Sequence, residues 1–250
     1  MKKIFFILAI AFAVLSCSDD DNDMPEPQKV KLVQTITFNG DIYGSVEYDA
    51  AKKVKNMTFL SDGSYAFTYD GDQISTLLFT SNSEFNPMAP KLFTFSYDSN
   101  GKINKVVVDN LQKNVVYTAG DNSYYITDVG TNLKYRLYLD NDDDITKATF
   151  YNNNQVTTEQ TFTYENGKGC MLNANRISTT LAIAYPENDT GLAAFLSKKA
   201  VKTNKYMETQ MNTMSTSTYT NVFDADGFIV SGSEILFGEN QVTGYQYAQL

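Results

Sequence analysis

One short pattern returns along this chain often enough to limit what it can fold into: an apolar or aromatic residue, an acidic residue, a small polar tip, then a new apolar run. Tyr97-Asp98-Ser99-Asn100-Gly101-Lys102-Ile103 aligns without gaps with Phe223-Asp224-Ala225-Asp226-Gly227-Phe228-Ile229 and with Tyr48-Asp49-Ala50-Ala51-Lys52-Lys53-Val54. Leu139-Asp140-Asn141-Asp142-Asp143-Asp144-Ile145 fits the same frame, and a form one residue shorter appears at Tyr69-Asp70-Gly71-Asp72-Gln73-Ile74 and Tyr164-Glu165-Asn166-Gly167-Lys168. An Asp that opens a turn accepts hydrogen bonds from backbone N–H groups two residues on, and Gly or Asn takes the left-handed conformation that a hairpin of this length needs. Asp49, Asp70, Asp98, Asp140 and Asp224, with Gly101, Gly167 and Gly227, are therefore read as turn residues and not as ligands. Lys52 and Asp143 stand in the glycine slot of two copies, where a side chain must strain or the turn must take another geometry.

Between the turns the chain alternates. Phe93, Phe95 and Tyr97 fall on one face with Thr94 and Ser96 on the other, and the same holds for Tyr65, Phe67 and Tyr69 and for Leu133, Tyr135, Leu137 and Leu139. Such runs are half-buried antiparallel strands. About fifteen of them can be counted, and an open twisted sheet rarely exceeds ~10 strands without curling. The fold class is all-β: a large antiparallel meander of hairpins curled into a partly closed barrel or a strongly twisted sheet. One segment departs from the pattern. Residues 191–200 place Leu192, Phe195 and Leu196 on one helical face behind Asp189 or Thr190 as cap, which predicts one short helix near 190–200 with Lys198 and Lys199 in its last turn. That helix either plugs an open edge or end of the sheet or, with Lys202 and Lys205, meets a partner.

The first residues speak to location. Lys2 and Lys3 precede an apolar run from Ile4 to Val14, too short for a bilayer span of ~20 residues and ending in small residues. Residues 1–16 read as a signal peptide. Val14-Leu15-Ser16-Cys17 resembles the lipobox of bacterial lipoproteins, which implies cleavage before Cys17 and its lipidation. Residues 17–29 read as an acidic, disordered tether, because like charges and prolines cannot bury enough apolar surface to offset their ordering entropy. Within it, Asp19, Asp20, Asp21 and Asp23 resemble the export signal of surface lipoproteins in Bacteroides-type bacteria. The resemblance implies an outer-membrane lipoprotein facing the cell exterior. Residues 30–250 are expected to form a single all-β domain.

Elimination narrows the chemistry. The chain has no histidine, which removes Ser-His-Asp and Cys-His mechanisms and zinc sites built on imidazole. Removing Lys2 and Lys3 with the leader leaves 18 basic residues against 29 acidic, a formal charge of −11, so a basic face for nucleic acid is not expected. Asp140, Asp142 and Asp144 resemble the start of a calcium loop, but Ile145 stands where that loop needs glycine and Tyr151 where it needs glutamate. No metal and no cofactor is expected. Cys170 remains as a small packed residue without a histidine to activate it.

The repeated turns resemble the YD repeats of shell-forming surface proteins, and residues 30–250 resemble a family of uncharacterised Bacteroides-type lipoproteins, a domain of unknown function with a porin-like fold. That resemblance implies a curled sheet of consecutive antiparallel strands and brings no catalytic residue. A membrane-spanning barrel would need an unbroken outward apolar band, whereas stretches such as 140–146 and 151–161 are polar on both faces. The functional expectation is a non-catalytic binding or interaction module attached to the outer membrane through its lipid, meeting an extracellular polymer or envelope protein. Phe85 and Met88, in the proline-bearing stretch 81–90, form a candidate binding loop. The alternatives are a glycan hydrolase using two carboxylates ~5–9.5 Å apart, one with a raised pKa, and a purely structural scaffold.

Overall fold

The computed structural model describes residues 30–82, 88–129, 133–174 and 176–249. Strands β1 (Lys31–Phe38), β2 (Asp41–Tyr48), β3 (Val54–Phe59), β4 (Gly63–Asp70), β5 (Gln73–Ser81), β6 (Lys91–Tyr97), β7 (Ile103–Val108) and β8 (Leu111–Thr118) follow one another as hairpins. A 3-10 turn at Ala119–Asp121 leads into β9 (Ser123–Asp128), β10 (Lys134–Leu139), β11 (Ile145–Asn152) and β12 (Gln155–Lys168). Two helices, α1 (Ile177–Ala184) and α2 (Pro186–Phe195), precede β13 (Lys199–Glu208), β14 (Thr213–Thr218), β15 (Thr220–Phe223), β16 (Ile229–Leu236) and β17 (Glu239–Gln249).

The 17 strands form one sheet whose recorded ladders between strands are all antiparallel, and it closes when β17 pairs with β1, Lys31 opposite Gln249 and Phe38 opposite Thr243. An up-and-down meander can close antiparallel only with an even number of staves. The count becomes even because β14 and β15, separated by Tyr219 alone, run on as one stave: β14 pairs with β13, and β15 with β16. The one seam among the described residues lies there. It is stitched by Tyr219 N–H donating to Lys202 O (2.9 Å) and Asn221 Nδ2 donating to Val201 O (2.8 Å).

The repeated motif builds one end of this barrel. Asp49, Asp98, Asp140 and Asp224 each accept two backbone N–H groups on Oδ1, from the residues two and four positions on, at 2.8–3.0 Å. The glycine slot is left-handed in all four: Gly101 at φ 70°, Gly227 at 80°, Lys52 at 63° and Asp143 at 65°. The geometry is thus shared, and Lys52 and Asp143 carry its strain. Behind each turn the register slips by one residue, as where Ser96 faces Lys105 but Tyr97 faces Ile103. Valine in place of Gly101 should lower unfolding stability by about 2 kcal/mol, read as a shifted denaturation midpoint, since a β-branched residue is strained at positive φ.

Gly167 takes a different part from the other turn glycines. It lies inside β12, and a Cβ there would overlap the ring of Phe223. Four connections at the opposite end are two-residue turns. Asn39-Gly40, Asp109-Asn110, Asn153-Asn154 and Phe237-Gly238 all have both residues at positive φ, the conformation that matches strand twist.

The apolar residues of the alternating runs point inward. Tyr65, Phe59, Phe93, Leu77, Tyr135 and Leu137 are fully buried, while outward Thr68 bonds to Ser75 and Thr76, and Thr163 to Thr203. A ring so wide would leave a hollow. Residues 169–198 fill it: they turn in from the end of β12, and every residue of α1 is buried. α1 is tied to neighbouring staves of the wall, β8 and β10, which flank β9. Tyr135 on β10 donates to Ile183 O (2.6 Å), and Lys113 on β8 donates to Ala184 O (2.9 Å). At the helix junction the Tyr185 ring meets Phe79 at 5.0 Å and Phe93 at 4.7 Å between centroids.

The helix expected near 190–200 is α2, but it starts at Pro186 and ends at Phe195, so Lys198 and Lys199 lie beyond its last turn and Lys199 opens β13. Proline suits that first position because its missing N–H would have no partner there. α1 was not expected, and its sequence explains why. Ile-Ser-Thr-Thr-Leu-Ala-Ile-Ala is rich in β-branched residues and is enclosed all round, so it carries no amphipathic stripe.

Candidate functional site

The richest cluster of ionisable groups sits where the inserted helices meet the acidic turns. Asp144 is buried, and its carboxylate accepts Lys198 N–H (2.8 Å) and Lys199 N–H (3.2 Å). Lys199 Nζ reaches Asp140 (2.7 Å) and Asp142 (2.6 Å), and Lys198 Nζ donates to Asp142 O (2.7 Å). Arg176 at the start of α1 donates to Gly101 O (2.5 Å), and Thr179 Oγ1 to Asp143 O (3.1 Å). The acidic turns are sockets for the helical insert.

Asp144 is the carboxyl whose environment comes nearest to that of a general acid. Burial, opposed by the Lys198 N–H bond and helped by the Asp140 charge, pushes it up to about 6. The pair Asp140 and Asp144 shares no open cleft, however, because Asp144 faces protein and Asp140 is taken up by two backbone amides and Lys199. The pH consequence follows from the sign. A carboxyl with a folded-state pKa above its ordinary 3.8 adds stability that is full below about pH 4 and is lost as pH rises through about 6. Melting temperature should therefore fall between pH 4.5 and 7.5 by the equivalent of at most about 3 kcal/mol, and Asp144→Asn should flatten that slope. Asp142, which Lys199 holds below the usual carboxylate range, contributes an opposite slope at lower pH.

At the same end, Lys31 bridges Asp224 (2.7 Å) and Asp226 and lies over the Phe228 ring. Cys170 is buried, with Sγ 3.3 Å from Phe195 O, and burial pushes its thiol up to about 12. That is no nucleophile at neutral pH. The described cavities beside Cys170 and beside Thr179 measure about 20 and 10 Å³, room for one water at most. A groove of about 230 Å³ lined by Asp72, Gln73, Tyr97, Gly101 and Arg176 runs over two turns. It is smaller than a usual small-molecule site of ~300–1,000 Å³. Among the described residues no group of three or more Cys, Asp or Glu is placed to hold a metal ion.

The tyrosines are mostly structural. Tyr48, Tyr69, Tyr97, Tyr164 and Tyr247 each donate at 2.7–2.9 Å to a carbonyl near the start of the preceding strand: Val33, Val54, Ile74, Ile145 and Ile229. The residue before the acidic one is thus a half-buried staple at all four copies of the motif that carry a tyrosine there, Tyr48, Tyr69, Tyr97 and Tyr164. Burial pushes the Tyr97 hydroxyl up to about 12. Of the 17 tyrosines, all but Tyr125, Tyr138, Tyr151 and Tyr206 belong to the core or pack against it. Tyr125 and Tyr151 meet on the outer face of β9 and β11, and Arg136 and Lys147 lie over Tyr138 beside them.

The opposite end of the barrel has another character. Phe38 and Ile42 flank its first turn, Leu60 the second and Leu111 the fourth, all exposed; Val129, Met211 and Met214 continue the series. Leu236 and Phe237 close it, Phe237 at 99% exposure. Met88 is exposed beside them, at the edge of the β5–β6 connection. With Ile235, eleven of the 16 exposed large apolar side chains among the described residues lie in or next to the turns at this end, against Val222 alone next to a turn at the acidic end. Nothing in the alternation of the strands marked these residues, because they sit where the alternation stops. The one available signal was Phe237-Gly238, a phenylalanine where a two-residue hairpin calls for Asn, Asp or Gly.

Asp49, Asp70, Asp98, Asp140, Asp224, Gly101 and Gly227 are thus gathered at one end, and Met88 lies at the other. Cys17, Asp19, Asp20, Asp21, Asp23 and Phe85 fall outside the described residues.

Solved structures similar to this chain include two porin-like proteins. One is a porin-like protein from Bacteroides vulgatus, 12% identical, with a TM-score of 0.45 over 88% of this chain and 100% of that one. The other is a porin-like protein from Bacteroides uniformis, 11% identical, with a TM-score of 0.47 over 88% of this chain and 97% of that one. No family model matches the chain, and no curated protein matches it.

Proposed function

We propose that this protein is a lipid-anchored, non-catalytic interaction module of the outer-membrane surface, held by Cys17 and the acidic tether of residues 17–29. The observation that carries this reading is the contrast between the two barrel ends. The acidic end spends its carboxylates on turns and on the helical insert, while the other end leaves its apolar side chains in water. Exposed apolar surface in such concentration marks a contact with something else. An extracellular polymer has a second surface open to it, the outward Tyr125, Tyr138 and Tyr151 with Arg136 and Lys147.

Two measurements test the reading. Protease shaving of intact cells should release the domain, and resistance until the outer membrane is broken would remove surface display. A screen of the mature chain against polysaccharides and purified envelope proteins should give retention without turnover. Release of a cleaved glycan would replace the module by the two-carboxylate hydrolase.

A further inference from the structure

Phe237 breaks two rules at one position. It is 99% exposed, and it sits at φ 52°, where a bulky side chain is strained and where the sister turns hold Asn39, Asp109 and Asn153. Either cost would be relieved by asparagine. A residue that forfeits both solvation and backbone comfort at a hairpin tip is best explained by something that covers it. Its neighbours on the other tips, Leu60, Leu111 and Met211 among them, are exposed in the same way.

Resting on the interaction-module reading, we propose that this rim of apolar hairpin tips docks on a zwitterionic phospholipid surface. The tips are separate fingers from successive hairpins at one end of a barrel, an arrangement that a fluid bilayer interface accommodates without matched pockets. Charge selects the lipid. Exposed Asp41, Asp109 and Glu239 stand among the tips, so an anionic surface is repelled, whereas the ammonium of an ethanolamine headgroup pairs with them. The same carboxylates set a second copy of this end against itself. The anchor permits the docked pose: Lys31, where the described chain begins its first strand, lies at the acidic end, but the 13 residues numbered 17–29 can span up to ~45 Å. An eight-residue strand such as β1 is only ~26 Å long.

The chain contains no tryptophan, so Phe237→Trp installs a single reporter. In the whole mature chain made without lipid by Cys17→Ser, vesicles of equal parts phosphatidylethanolamine and phosphatidylcholine should shift its emission to the blue. Lipids brominated on the acyl chain should quench it, and phosphatidylglycerol vesicles should do less at low salt. Phe237→Asn should raise the melting temperature by about 2 °C while lowering vesicle-bound protein at least tenfold, a division that a purely structural role would not produce. No emission shift with either vesicle, or vesicle binding that Phe237→Asn leaves unchanged, would overturn the proposal. So would a concentration-dependent dimer abolished by Phe237→Asn, which would make the rim a contact between copies. A chain that ignores vesicles yet is shaved from intact cells and retained without turnover loses only the lipid assignment; the module reading fails separately, on glycan cleavage.

Discussion

Tyr135→Ala should cost the barrel about 4 kcal/mol of unfolding stability, and Tyr135→Phe only about 1.5 kcal/mol. The ring is fully buried on β10 and stacks on Phe150 at 6.0 Å between centroids, so truncation leaves a cavity between the wall and the helical insert. The hydroxyl donates to Ile183 O at 2.6 Å, near the end of α1, and the phenylalanine variant isolates that one bond. Urea unfolding of the three proteins reads both numbers. Equal midpoints for the two variants would mean that the insert relaxes onto the wall, contrary to the packed interior described above.

The second large effect is expected at Gly169, where the chain leaves β12 for the interior. Its N–H donates to Lys198 O at 2.6 Å, bringing the entering and leaving strands of the insert together. A Cβ at Gly169 would stand 2.6 Å from Lys199 O and 2.8 Å from Lys198 C, both backbone atoms that cannot swing aside. Gly169→Val should therefore cost about 3 kcal/mol. Cys170 next to it supplies the readout. In the Cys17→Ser chain it is the single thiol, and because it is buried, a thiol reagent reaches it only when the insert opens. At about 1.4 kcal/mol per factor of ten, labelling in Gly169→Val should accelerate on the order of a hundredfold. Unchanged labelling would show that residues 169 and 198 separate without cost.

Much of this architecture was legible because it repeats. Asp98 and Gly101 announce a turn by chemistry that acts over four residues, and Phe93, Phe95 and Tyr97 announce a strand by alternation; both signals are local, so they survive without knowledge of the rest of the chain. Gly167 shows the limit. Tyr164 to Lys168 has the letters of the motif, yet the strand runs through it, because what decides that glycine is the ring of Phe223, distant in sequence. α1 was illegible for a related reason: a helix enclosed by a barrel needs no polar face, and without one its residues show no helical period. The rim was hidden at a third level. An exposed phenylalanine looks the same in sequence as a buried one, and only the closed ring shows that Phe38, Leu60 and Phe237 share an end.

The pairing of β1 with β17 also bears on how the molecule is made. Lys31 faces Gln249, so the first strand synthesised finds its second neighbour only when the last one is complete. Until then the growing sheet has two free edges, each able to pair with a foreign strand. Contacts between residues so far apart in sequence are slow to form, since the intervening chain must be organised before they yield anything. In the cell this means a long interval in which the chain depends on a binding chaperone or on high dilution. A chain that stops before β17 would keep both edges open and be the more aggregation-prone form.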